Sequence, residues 1–214
     1  MLPTIMSPAD TEWQMVQVDP ATTQQVEERI QGSMARLNQE GSTTLELTED
    51  ELNQILAQGI RELRAQQQAL ARDPDAGVEE EEMARAAEDT RGRFVIENGV
   101  VRLDMVVDIP EQVTGLPGRL RGQTTGMELS LRPRAAGSVV ALRVESARIG
   151  RIPVPVNMAL GLLQRMPVAH EIRWMDPQTR EIRVPLEELG NLPQGVNVDR
   201  IEAEAGRLVM ELSR

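Results

Sequence analysis

The chain has 214 residues, enough for one large domain or two small ones, and sets 23 basic residues, all arginine, against 34 acidic ones for a net charge of −11. That acidity opposes nucleic-acid binding, and having only Trp13, Phe94 and Trp174 as aromatics removes the stacking platforms that single-strand and sugar binders use. With no cysteine and one histidine there is no disulfide framework, no thiolate chemistry and no His or Cys set for zinc.

The opening "MLPTIMSPADTEWQMVQVDP" holds neither the basic n-region of a signal peptide nor an apolar run long enough to span a bilayer. A cytoplasmic chain is the expectation if it is complete. Asp19-Pro20 then opens an amphipathic helix in which Val26, Ile30, Met34 and Leu37 recur on one face, with Gly41 as its stop signal. Residues 1–41 are expected to form an extension ending in this helix, and residues 42–214 a single domain.

The short strand "TTLEL" leads into a long helix over 48–70, of roughly 33 Å. Thr48 and Glu51 have the spacing of a capping box, each side chain serving a backbone donor of the other. Leu52, Ile55, Leu56, Ile60 and Leu63 make one apolar stripe. Asn53, in the first turn, is the polar residue expected to tie this helix to a neighbouring strand, with direct ligand contact the alternative. Residues 73–92 are acidic and poor in large apolar side chains, which reads as an exposed linker with a short helix around 78–89. The run Glu79–Glu82 lacks the ligand spacing of a calcium loop.

From Arg93 the period becomes two. Asn98-Gly99 is a strong hairpin signal, followed by Met105, Val107 and Ile109 alternating with Asp104 and Asp108. Met127 and Leu129 repeat the pattern, as do Val140, Leu142 and Val144. Hairpins are expected about Asp176–Thr179, with Ile172 and Trp174 facing Ile182 and Val184, and at Ala205-Gly206. Between them "RIPVPVNMALGLLQRM" turns at Gly150, is held extended by Pro153 and Pro155, and becomes a helix over 156–166 that is apolar nearly all round. Such a helix must be buried on every side or face lipid or ligand. At about 11 residues it is too short to span a bilayer. It is expected to plug one end of the sheet against the long helix. The predicted class is α+β: a strongly curved antiparallel sheet of about seven strands wrapped around the long helix, its end closed by the short apolar one.

Three of these features together resemble the YpmS-like family of bacterial membrane-anchored proteins: "LELTEDELNQIL", "FVIENGVVRLDMVVDI" and "ARIGRIPVPVNMAL", in that order. The likeness covers roughly residues 43–214 and, more distantly, extends to tubular lipid-binding domains. It implies an extracytoplasmic cell-envelope domain with an N-terminal anchor that this chain does not carry. By fold analogy it also implies a groove between helix and sheet that takes an acyl chain.

Enzymatic readings find little support. His170 lies in an alternating stretch, Ser130 and Ser146 have no Gly-x-Ser-x-Gly elbow, and "GLPGRLRG" lacks the Walker lysine. No catalytic residue, metal or cofactor is expected. Arg119, Arg121, Arg132, Arg134, Arg143, Arg148 and Arg151 cluster in the central strands and their loops, but their mixed odd and even numbers do not assure a shared face. Solvent-facing residues pairing with Glu and Asp are the expectation, with convergence at one mouth of the sheet to receive an anionic head group or a membrane surface as the alternative. The expected function is non-enzymatic binding of a lipid or other long apolar ligand. Its lining would be Leu52, Ile55, Leu56, Ile60 and Leu63 of the long helix with Met105, Val107, Met127 and Leu129 of the strands. Val156, Leu160, Leu163 and Met166 of the plug, and Trp174, would complete it. The 11 methionines suit a plastic interior. The alternative is an envelope structural or protein-interaction module whose interior is filled.

Overall fold

The computed structural model describes residues 19–71, 92–109, 111, 118–164, 175–176, 178–186 and 195–214. Helix α1 (Pro20–Glu40) starts at Asp19, whose carboxylate accepts the Ala21 N–H and the Thr22 hydroxyl, and ends at Gly41, whose φ of 77° places it in the left-handed region. Those donors, the Thr22 hydroxyl first, hold the Asp19 carboxyl below its ordinary range. Strand β1 (Ser42–Thr48) runs directly into α2 (Glu49–Ala71). Here the capping box forms: the Thr48 N–H donates to Glu51 at 2.8 Å and the Glu51 N–H to the Thr48 hydroxyl at 3.3 Å.

The strands that follow are β2 (Gly92–Glu97), β3 (Val100–Ile109), β4 (Gln123–Ala135), β5 (Val139–Ile149) and β6 (Ile152–Val154). Helix α3 (Val156–Leu163) comes next, then β7 (Met175–Asp176), β8 (Glu181–Pro185), β9 (Asn197–Glu204) and β10 (Arg207–Ser213). The class is α+β, and all described pairings are antiparallel.

Ten strands are described rather than about seven, and they form two sheets instead of one. The larger has the order β2-β3-β4-β5-β8-β7, with β6 also on β5; the smaller is β1-β10-β9. The division has a local cause. Outside its pairing with β10, β9 bonds hairpin turns rather than a strand: the Gly99 N–H donates to the Ala203 carbonyl and the Val198 N–H to the Gly137 carbonyl, each at 2.8 Å. The smaller sheet therefore caps the turn end of the larger.

One buried cluster joins both sheets. Val26, Met34 and Leu37 of α1 share it with Leu45, Leu47, Leu208 and Met210 of the smaller sheet and with Val107, Met127 and Leu129 of the larger. Each fully buried aliphatic side chain contributes about 1.5–3 kcal/mol. The plug is shorter than expected, ending at Leu163, and Met166 lies outside the described residues. Its principal packing partner is β5 rather than α2. The reason is the route: Gly150, at φ 58°, turns the chain so sharply that Ile152 pairs with Ile149, and three residues of β6 then deliver α3 directly beside β5. The expected linker falls almost wholly outside the described residues, and so do His170, Ile172 and Trp174; in β7 it is Met175 that pairs with Ile182. Among the described residues no helix is long and apolar enough to cross a membrane.

Candidate functional site

Strand β2 is the edge of the larger sheet as described, so among the described residues the outward N–H and C=O groups of Phe94 and Ile96 have no strand to pair with. Helix α2 supplies partners from side chains. Asn53 accepts the Phe94 N–H at 2.6 Å and donates to the Phe94 carbonyl at 2.9 Å; Glu49 accepts the Ile96 N–H at 2.7 Å. The Gly206 N–H from the β9–β10 turn donates to the Ile96 carbonyl at 3.1 Å, and the Glu49 N–H returns to the Gly206 carbonyl at 2.9 Å. The spacing works because four helical residues rise about 6 Å, close to the advance of two strand residues, about 6.7 Å. Asn53 is buried and has a structural bond to the sheet, which is the role expected of it.

With Asn53 fixed at the edge, the neighbouring apolar residues of α2 face the sheet's inner surface. Leu52 and Leu56 are half-buried, and a Cβ at Gly92 would lie 3.5 Å from the Leu56 Cδ2. Gly92 pairs with Met105 and Phe94 with Leu103, so the floor beneath these leucines is Gly92, Phe94, Leu103 and Met105. Phe94 and Leu103 are themselves half-buried. We call this strip the seam. Ile55 turns outward and is 42 % exposed, the only large hydrophobic among the described residues to stand so open. The side chains of Ile60 and Leu63 lie outside the description.

The other expected lining residues sit deeper. Met105 pairs with Met127 and Leu103 with Leu129 across β3 and β4; Val107, Val156, Leu160 and Leu163 complete a buried group under α3. Leu129 and Leu160 are 0 % exposed and Val107 and Met127 1 %, so no water-sized space touches them. The structure thus separates the expected site into two parts: a sealed interior below α3 and a partly open seam below α2. Phe94, Leu103 and Gly92 belong to the seam but were missed in sequence. Reflecting β3 through the Asn98-Gly99 turn would have found them, because the pairing register puts Phe94 opposite Leu103.

Helix α1 braces α2 from outside. The Asp19 N–H donates to the Gln54 side chain at 2.9 Å, and Arg29 pairs with Glu51. Burial opposes ionisation of Glu51, yet the Arg29 guanidinium and the two Thr48 donors outweigh it and hold the carboxyl below its ordinary range. On the sheet's outer surface Asp104, expected to be wet, is buried between Arg93 (3.0 Å) and Arg102 (3.2 Å), whose long side chains cover it.

Comparison with protein-family models, with curated proteins and with solved structures returned no match.

Proposed function

We propose that the protein is a non-enzymatic domain that binds a lipid or other long apolar molecule along the seam, with the larger sheet rolling around α2 to embrace it. The observation that carries this reading is the exposure pattern of α2. Leu52, Ile55 and Leu56 form one apolar stripe that is only partly covered, with Leu56 set against Gly92 and Ile55 open to water beside it. The likeness of three motifs to YpmS-like and, more distantly, to tubular lipid-binding proteins points the same way, and with it we propose a position in the cell envelope near a membrane. Such binding needs no directional polar group. Ten buried methylenes give a gross gain of about 8 kcal/mol, enough for roughly micromolar affinity only when ordering costs are small.

The sealed interior favours a second reading, a structural or protein-interaction module with a filled core and no ligand. Leu129, Leu160 and Ile149 are all 0 % exposed, as a filled core requires. The two readings separate in one experiment: mild denaturation and solvent extraction of purified protein, followed by mass spectrometry, with fluorescent fatty-acid uptake in parallel. Extracted lipid, and uptake abolished by Leu56→Asp, support the seam. Absence of both supports the filled module.

A further inference from the structure

Strand β5 carries a bulge: Ser130 pairs with Ser146 but Leu131 with Val144, leaving Glu145 as an extra residue. Two-residue alternation therefore changes phase at Glu145. Arg143 and Arg148, odd and even in number, come to the same outer face, each exposed. Register then assembles the patch. Arg132 lies directly opposite Arg143, and Arg134 shares a row with Arg183 across Ala141. Five exposed arginines, 132, 134, 143, 148 and 183, share this face of β4, β5 and β8 with Glu128, Glu145 and Glu181. Arg132 pairs with Glu145 and Arg134 with Glu181; Arg143, Arg148 and Arg183 make no ion pair among the described residues. Arg132 and Arg143 oppose like charges across the ladder, which is destabilising, and Glu145 on Arg132 and Glu181 opposite Arg143 offset this in part; Arg148 lies opposite Glu128.

The smaller sheet's outer face is the contrast. There Arg200 is held by Glu202 and Glu211, and Arg207 by Glu204 and Glu46, and these partners hold both guanidinium pKa values above their ordinary level. A chain of net charge −11 thus keeps one face on which, among the described residues, five arginines stand with three carboxylates.

We propose that the outer face of β4, β5 and β8 docks onto an anionic phospholipid surface through Arg143, Arg148 and Arg183. A guanidinium fork matches phosphate oxygens in two hydrogen bonds, and a row of forks on a sheet face suits a planar array of head groups. The proposal does not rest on the seam.

The test is co-sedimentation of the full chain with vesicles of phosphatidylglycerol and phosphatidylcholine, against pure phosphatidylcholine, at low and high salt. Wild type binds the anionic vesicles and is released by salt. Arg143→Gln with Arg183→Gln weakens partitioning about twenty-fivefold, at roughly fivefold per arginine. Arg200→Gln with Arg207→Gln, the same change in net charge on the other sheet, alters it less than about twofold on the same scale. Thermal unfolding confirms that each pair folds, and fatty-acid uptake from water is unchanged in the first pair. Equal effects of the two pairs, binding indifferent to salt, or capture of polyglutamate without capture of vesicles would overturn the proposal.

Discussion

The interior beneath α3 and the seam beneath α2 are built from the same aliphatic residue types, yet one is closed and the other partly open. Leu129 and Leu160 are wholly buried, whereas Leu52 and Leu56 are half-covered and Ile55 faces outward. The difference comes from what holds each helix. Helix α3 is set down on β5 by a three-residue strand and packs by its apolar surface. Helix α2 is held to β2 by the polar groups of Asn53 and Glu49 as well as by Leu52 and Leu56, and its apolar stripe remains partly uncovered.

Substitutions can sharpen that contrast. The largest expected effect is in the closed part. Leu160→Ala leaves a cavity in a site with no slack, and urea unfolding should show a loss of about 3–5 kcal/mol. Fatty-acid uptake by the molecules that remain folded should be unchanged. A loss below about 1 kcal/mol would mean that the interior relaxes easily. Next comes the anchor: Asn53→Ala removes two bonds and strands the Phe94 N–H, for about 2–3 kcal/mol. The exposed β2 edge should raise light scattering on heating, and a variant as stable and soluble as wild type would refute the edge-sealing role.

In the seam, Ile55→Gln should shift stability by no more than about 0.5 kcal/mol while weakening uptake, because the side chain already faces water. Unfolding midpoints and ligand titration read the two effects separately, and unchanged uptake would remove Ile55 from the site. The smallest effect concerns pH. The Glu51 carboxyl is depressed in the folded state, so its contribution is present above the unfolded pKa and lost as pH falls through the lower folded value. Glu51→Gln should flatten the stability profile over that acidic window and leave neutral-pH uptake intact. A profile parallel to wild type would show that the Arg29 and Thr48 contacts do not favour the ionised form.

Local signals in the sequence were specific where chemistry is local. The helix start at Asp19-Pro20, the Thr48–Glu51 box and the turns at Gly99 and Gly206 all follow from residues a few positions apart. Asn53 was legible as a tie, although its partner, Phe94, was not. The two-sheet division was hidden because it depends on hairpin turns meeting β9 from far along the chain, as Gly99 meets Ala203. The arginine face was hidden for the opposite reason. A single inserted residue, Glu145, changes strand parity, and no composition or period reveals where a bulge falls. Aliphatic content alone could not distinguish a filled space from an open one.

The most direct test of the seam uses the absence of cysteine from the chain. A spin label attached at Ile55→Cys on α2, or at the exposed Asn157→Cys on α3, reports by quenching how near each lies to a bound fluorescent fatty acid. Strong quenching from position 55 and little from position 157 is the predicted result. Saturable binding with stronger quenching from 157, or no binding by the labelled and unlabelled proteins alike, would contradict it.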